Sequence, residues 1–344
     1  LMDQELLERR RHSLGPSYRL FYETPVHLVR GEGVWLYDSE GRRYLDCYNN
    51  VAAVGHCHPR VVAALAEQAA TLNTHTRYLH ENVVAYAERL SATLPAELSV
   101  CIFVCTGSEA NDLAFRIART VTGQHGAIVL EDAYHGTTMV VNQLSPEMYP
   151  AAERPDYLAV ISAPNAYRSD PDSRAQNFAD HVDFAIDTLA QRDQAPAIFI
   201  NDMIYSSNGI LTPPPEYLQQ VYRKVRSAGG LVIADEVQSG FCRLGDSFWG
   251  FEASDVVPDI VTLGKPAGNG HPLAAVVTTP EIAAAFARKT GYFNTFGGNP
   301  VSTAVGLAVL DVIESENIRE NVCRSGEWLR AGLGALMDRF AFIG

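Results

Sequence analysis

Lys265 is the first residue in this sequence whose setting suggests chemistry. It follows the apolar run Asp259–Leu263 and is flanked by Gly264, Pro266, Ala267 and Gly268. Small neighbours leave room for a bulky group, and an amine at the edge of an apolar sheet loses its proton readily, as covalent chemistry with a carbonyl requires. Taken alone, a lysine after a strand is a solvated surface residue. Asp235 ends a second apolar run, Gly230–Asp235, and leads into Glu236-Val237-Gln238-Ser239-Gly240. A carboxylate there can pair with a protonated ring nitrogen, although an acidic helix cap or a metal ligand reads the same way.

A third segment, Cys105-Thr106-Gly107-Ser108-Glu109-Ala110-Asn111, joins a strand to a helix. Gly107 would let backbone N–H groups approach an anion, Ser108 adds a hydroxyl, and the helix N-terminus favours negative charge. Ser108 as a plain N-cap is the competing reading. Tyr134-His135-Gly136 can set an aromatic face against a ring or simply pack. The turn 294–300, with Thr295, suits a phosphate contact or capping of the next helix.

These segments need a scaffold that brings strand ends together. Apolar runs at Val100–Cys105, Ala127–Glu131, Tyr157–Ser162, Ala197–Asn201, Gly230–Asp235, Asp259–Leu263 and Ala274–Thr278 alternate with helical spacing such as Glu109–Thr120 and Pro215–Ala228. Continuous rather than alternating apolarity belongs to strands buried on both faces, so a mainly parallel α/β sheet is expected, with ligands at its carboxyl ends. Leu28–Asp46 reads as a short hairpin turning at Asp38–Gly41, and Asn299–Ser315 as an apolar helix.

The 344 residues with 47% apolar content suffice for a large core and a second, smaller domain. A net charge of −13 argues against nucleic acid. The six cysteines follow no disulfide rhythm, and His56-Cys57-His58 lacks a second ligand pair, so no metal is expected. Leu1–Pro16 lacks a signal-peptide core and no run is long enough for a membrane span, so a cytoplasmic protein is expected.

In order along the chain, Thr106–Asn111, Tyr134–Gly136, Asp235–Phe241, Lys265 and Thr295–Pro300 resemble the class III aminotransferases, over about residues 20–315. Tyr44–Val51, Gly55–Pro59, Thr76–His80 and Gly268–Pro272 are similar to the branch holding alanine–glyoxylate aminotransferase 2 and the ethanolamine-phosphate phospho-lyases. The resemblance implies a fold type I, aspartate aminotransferase-like enzyme that uses pyridoxal 5′-phosphate (PLP). Lys265 and Asp235 would be catalytic, as Schiff-base anchor and ring-nitrogen partner. Gly107, Ser108, Tyr134, His135, Val237 and Gln238 would join them around the cofactor, with Thr295 from the other subunit of a homodimer.

Asn50, Arg77 and Asp202 are candidate substrate residues; Arg77 also reads as half of a surface ion pair. Asp202 departs from the resemblance, standing where relatives carry a glutamate. The implied division is 1–50 as an N-terminal segment with the hairpin, 51–298 as the PLP-binding domain, and 299–344 as a connecting helix and the start of a small domain that continues in relatives. Transamination between an amine or amino acid and a keto acid is the expected function. Phosphate elimination from an O-phospho amine is the alternative, followed by a non-catalytic PLP-binding module.

Overall fold

The computed structural model describes residues 2–166 and 174–343; Leu1 and Gly344 of the expected terminal segments lie outside the described residues. Contacts divide the chain into two compact units.

The first unit holds residues up to Asn49 together with Gly55–His58. It contains helix α1 (Met2–Leu14) and strands β1 (Leu28–Glu32), β2 (Trp35–Asp38) and β3 (Arg43–Leu45), paired antiparallel in that order. The expected hairpin is therefore the second half of a three-stranded meander. β1 escaped notice because nearly all of it is exposed, leaving no alternation to read. The β2–β3 turn is held by Asp38, whose carboxylate accepts from the amides of Glu40 (3.0 Å) and Arg42 (2.8 Å) and the Tyr44 hydroxyl (2.7 Å).

Asp46 organises the segment after β3. It accepts from the amides of Tyr48 (3.1 Å) and Asn49 (2.9 Å) and from the Asn49 side chain (2.9 Å), with His56 Nε2 at 2.6 Å. Burial raises this carboxyl, but the hydrogen bonds from Asn49, His56 and Tyr48 outweigh burial and hold its pKa at about 2. A folded pKa below the unfolded one means stability that is present above the unfolded value and lost as pH falls through the folded one. We expect the unfolding free energy of the wild type to drop by roughly 1–2 kcal/mol between about pH 4 and pH 2, with Asp46→Asn lacking that drop. Denaturant midpoints across this range check it; parallel curves for the two proteins would refute it.

The second unit comprises Asn50–Val54 and the chain from Pro59 onward. Its elements in order are α2 (Pro59–Thr71), α3 (Glu81–Ser91), β4 (Val100–Val104), α4 (Gly107–Thr122), β5 (Gly126–Leu130), α5 (Met139–Gln143), β6 (Leu158–Ile161) and α6 (Arg174–Ala190). They continue with β7 (Pro196–Asp202), α7 (Tyr217–Ser227), β8 (Leu231–Asp235), β9 (Ile260–Leu263), β10 (Ala274–Thr278), α8 (Pro280–Lys289), α9 (Pro300–Ser315) and α10 (Ile318–Arg339).

β4 to β10 form one sheet in the order β4-β10-β9-β8-β7-β5-β6. Every pair from β9 to β6 is parallel, and β10 runs antiparallel to both neighbours. The sheet is thus mainly parallel, as expected. Two inversions at β10 return β4 to the direction of β9, so β4, β9, β8, β7 and β5 all end at one edge. β5, β9 and β10 are buried throughout. Their residues alternate between two apolar clusters: Ile128 and Leu130 join one, Ala127 and Val129 the other. Burial on both faces is what made these strands continuous apolar runs.

Candidate active site

The shared strand edge gathers the polar residues. Across β7, β8 and β9, Asp202 pairs in register with Asp235, and Asp235 with Thr262. Parallel neighbours stand about 5 Å apart and in-register side chains share a face, so the two carboxylates face the same space.

α4 opens beside them. Its N-cap is Thr106, whose hydroxyl accepts from the Glu109 amide (3.1 Å) while the Glu109 carboxylate takes the amides of Cys105 (3.0 Å) and Thr106 (2.9 Å). This capping box resolves the alternative for Ser108: it lies inside the helix and is not the cap. Its Oγ instead accepts from the Thr137 amide at 3.0 Å. Gly136 has a φ of +143°, and a Cβ there would lie 2.6 Å from Ser108 Oγ; a Cβ on Gly107 would lie 2.8 Å from Val237. Two glycines thereby let three strand-end loops close around the first turn of α4, whose leading N–H groups have no partner within the helix.

Asp235 is 4% exposed. Its Oδ2 accepts from Asn111 (2.8 Å) and lies 2.7 Å from His135 Nδ1; its Oδ1 accepts from the Val237 amide (3.1 Å). An acceptor-only carboxylate assigns the His135 proton to Nδ1. Asn111 is fixed in turn, donating to the His135 carbonyl (2.7 Å) and accepting from the Thr262 hydroxyl (2.6 Å). No helix begins at Asp235, so it is not a helix cap. His135 Nε2 is buried without a partner among the described residues. His135 therefore sits behind Asp235, orienting it.

Lys265 begins a single 3-10 turn, Lys265–Gly268, with a φ of +32°. It is half-buried. Burial pushes its amine pKa down from the ordinary lysine value, while the charges of Asp235 and Asp202 pull the other way. A lysine held between low dielectric and two carboxylates is unlike the solvated surface residue that its type alone suggests.

These groups line one cavity of about 160 Å³, formed by Gly107, Ser108, Asn111, Tyr134, His135, Gly136, Asp202, Asp235, Val237, Gln238 and Lys265. Every residue expected around the cofactor is present except Thr295. Tyr134 is 37% exposed, which sets it at the cavity's rim and not in the core. The chemistry matches the expected group. A partly desolvated amine, a buried carboxylate and a glycine-cleared helix N-terminus are what a carbonyl-bearing, phosphorylated pyridine needs.

Thr295, Asn50 and Arg77 do not line the cavity. Thr295 is exposed in a turn held by Asn294, which accepts from the amides of Phe296 (3.1 Å) and Gly297 (2.9 Å) and donates to Glu109 (3.2 Å). Asn299, not Thr295, caps α9. Arg77 is exposed, with its guanidinium 4.0 Å from the centre of the Phe293 ring, a cation–π contact in place of the expected ion pair. Asn50 reaches the site indirectly: its amide donates to Gln238 Oε1.

Three contributors were missed at the sequence level. Asn111 could have been found, since it interrupts an otherwise apolar helix face formed with Ala110, Leu113, Ala114 and Ile117. Gly136 closes the segment Tyr134–Gly136, where its neighbours' side chains drew the reading and its own lack of one did not. Ser206, which bonds both Asp202 and Gln238, gave no signal at all.

Residues 20–344 match the family model described as aminotransferase class-III. An alanine–glyoxylate aminotransferase 2-like protein of Drosophila melanogaster is 45% identical, over 100% of this chain and 72% of its own length. An ethanolamine-phosphate phospho-lyase homologue of Caenorhabditis elegans is 38% identical, over 99% of this chain and 77% of its own. Among solved structures, a phospholyase from Arthrobacter in complex with phosphoethanolamine superposes with a TM-score of 0.94 at 42% identity, covering 97% of this chain and 80% of that one.

Proposed function

This chain belongs to the class III aminotransferase family, and from that premise we propose that the cavity at Lys265 is the active site of a PLP-dependent enzyme moving amino groups between an amine or amino acid and a keto acid. The observation that carries this reading is the convergence of Lys265, Asp235 and the α4 N-terminus on one small cavity.

Bound PLP supplies an electron sink for the pair left when a substrate carbon loses its proton. The chain's residues do the rest. The Lys265 amine is the covalent anchor and, once displaced by substrate, the base that takes the proton from the α-carbon; its half-buried setting favours the neutral form that this task needs. Asp235 keeps a proton on the pyridine nitrogen, and Asn111, His135 and the Val237 amide hold its carboxylate in place. The Gly107 and Ser108 amides and the Ser108 hydroxyl would hold the phosphate. Val237 would pack against one face of the ring and Tyr134 against the other, with Gln238 beside the phenolic oxygen.

Thr295 completes the phosphate site of a second copy, making the enzyme a homodimer. Exposure of Tyr78, Leu79, Phe293 and Phe296 around that turn supports this, since these apolar surfaces would be covered by a partner. We keep the division into 1–50, 51–298 and 299–344 as part of the same reading. The setting we propose is the cytoplasm, which suits six cysteines with no disulfide; no helix among the described residues is long and apolar enough to cross a membrane.

The phospho-lyase relatives favour a second reading. Lys265 would remove the same proton, after which the bond from the β-carbon to oxygen breaks and phosphate leaves with the electron pair. A substrate screen separates the two. Amino transfer to a keto acid with no phosphate release supports the transferase; phosphate release from phosphoethanolamine without any keto acid replaces it with the lyase.

A further inference from the structure

Asp202 was expected to touch substrate, yet its carboxylate is already engaged. Oδ1 accepts from the Ile204 amide (3.0 Å), and Oδ2 from both the amide (2.7 Å) and the hydroxyl of Ser206. An aspartate closing on N–H groups two and four residues ahead is a local turn device. The Ser206 hydroxyl has one proton, and the carboxylate takes it. Toward Gln238 it can therefore only accept, and Gln238 Nε2 lies 2.9 Å away as donor. At the other end of the same amide, Oε1 accepts from Asn50 Nδ2.

The two ends agree. A glutamine's oxygen and nitrogen are distinguished by their partners: Ser206, whose one proton goes to Asp202, assigns the nitrogen to its own side, and Asn50 Nδ2 on Oε1 is consistent with that. The chain of donors runs one way, Asn50 to Gln238 to Ser206 to Asp202, and leaves one unused N–H on Gln238 Nε2 beside the cavity that Gln238 and Asp202 line. Asp202 ends the chain with both oxygens accepting, from the Ile204 and Ser206 amides and the Ser206 hydroxyl; burial and the nearby Asp235 charge raise its pKa, and these hydrogen bonds act against that.

We infer that Asp202 and Ser206 are positioning residues, which act through Gln238 by presenting its amide N–H, and not its carbonyl, to the group bound in the cavity. The inference rests on the reading of that cavity as the PLP site, where the acceptor is the phenolic oxygen. A donor there stabilises negative charge on that oxygen and lowers the basicity of the adjacent lysine-linked nitrogen.

The test uses the full chain loaded with PLP and no substrate, following its visible absorbance against pH. Ser206→Ala frees the Gln238 amide to rotate, so the titration midpoint should rise by about one pH unit, a tenfold change in proton affinity. Ser206→Thr retains the hydroxyl and should stay near the wild-type midpoint. Gln238→Leu removes the donor outright and should raise the midpoint at least as far. In the Gln238→Leu background, Ser206→Ala should add nothing, because its route is gone.

A wild-type midpoint in a folded, PLP-loaded Ser206→Ala protein overturns the inference. So does an equal shift from Ser206→Ala with Gln238 already replaced, which would mean an independent effect. A wild-type chain with no visible lysine-linked band overturns the cofactor reading itself, and this inference with it.

Discussion

Lys265→Ala should lose the visible absorbance of lysine-linked PLP completely and reduce turnover by at least about 10⁴-fold. Two functions leave with one amine. The covalent anchor goes, and so does the base within reach of the substrate α-proton. Phosphate binding is untouched, since the groups around Gly107 and Ser108 belong to other loops, so PLP should still bind and absorb as the free aldehyde. Small primary amines added to the solution should restore part of the proton transfer, because the vacated space is lined by the same carboxylates. Stability should change little, since alanine inherits the same backbone angle. Turnover within tenfold of the wild type, or a persistent lysine-type band, would remove Lys265 from its role.

Asp235→Asn should cost about 10²- to 10⁴-fold in turnover of the PLP-saturated enzyme, through charge and geometry together. The neutral amide no longer keeps the pyridine nitrogen protonated, which weakens the electron sink when the carbanion forms. Nor can asparagine reproduce the hydrogen bonds. Oδ2 faces two donors, Asn111 Nδ2 and His135 Nδ1, while Oδ1 faces the Val237 amide. Whichever way the new amide turns, its NH₂ meets a donor in a buried site, at a cost of about 1–3 kcal/mol. PLP affinity should fall much less than turnover, because the phosphate and the lysine still hold the cofactor. A variant with nearly wild-type turnover at saturating PLP would sink the assignment; Asp235→Glu, which retains the charge, should fall between the two.

The legible parts of this molecule are those in which neighbours in sequence are neighbours in function. β5, β8, β9 and β10 announced themselves as apolar runs because both faces are buried. A residue that ends a run, as Asp235 does, or closely follows one, as Lys265 does, stood at the ligand edge because parallel strands end together. Illegible parts depend on contacts between distant positions. Nothing near Ser108 indicates that Gly136, 28 positions on, must lack a side chain to let it in. Asn111 and Thr262 meet across 151 positions, and Asn50 and Gln238 across 188. β1 failed for the opposite reason: its surroundings are mostly solvent, so no pattern was imposed on it.

The backbone at Lys265 has a further consequence. A φ of +32° is a left-handed geometry in which any side chain crowds its own carbonyl, and glycine is the residue that adopts it freely. The position is thus held against the fold's own preference, at a cost of order 1 kcal/mol. The strain sits at the one backbone position that carries the reactive amine, so the loop after β9 is held in this geometry by its neighbours and not by the preference of its own residue.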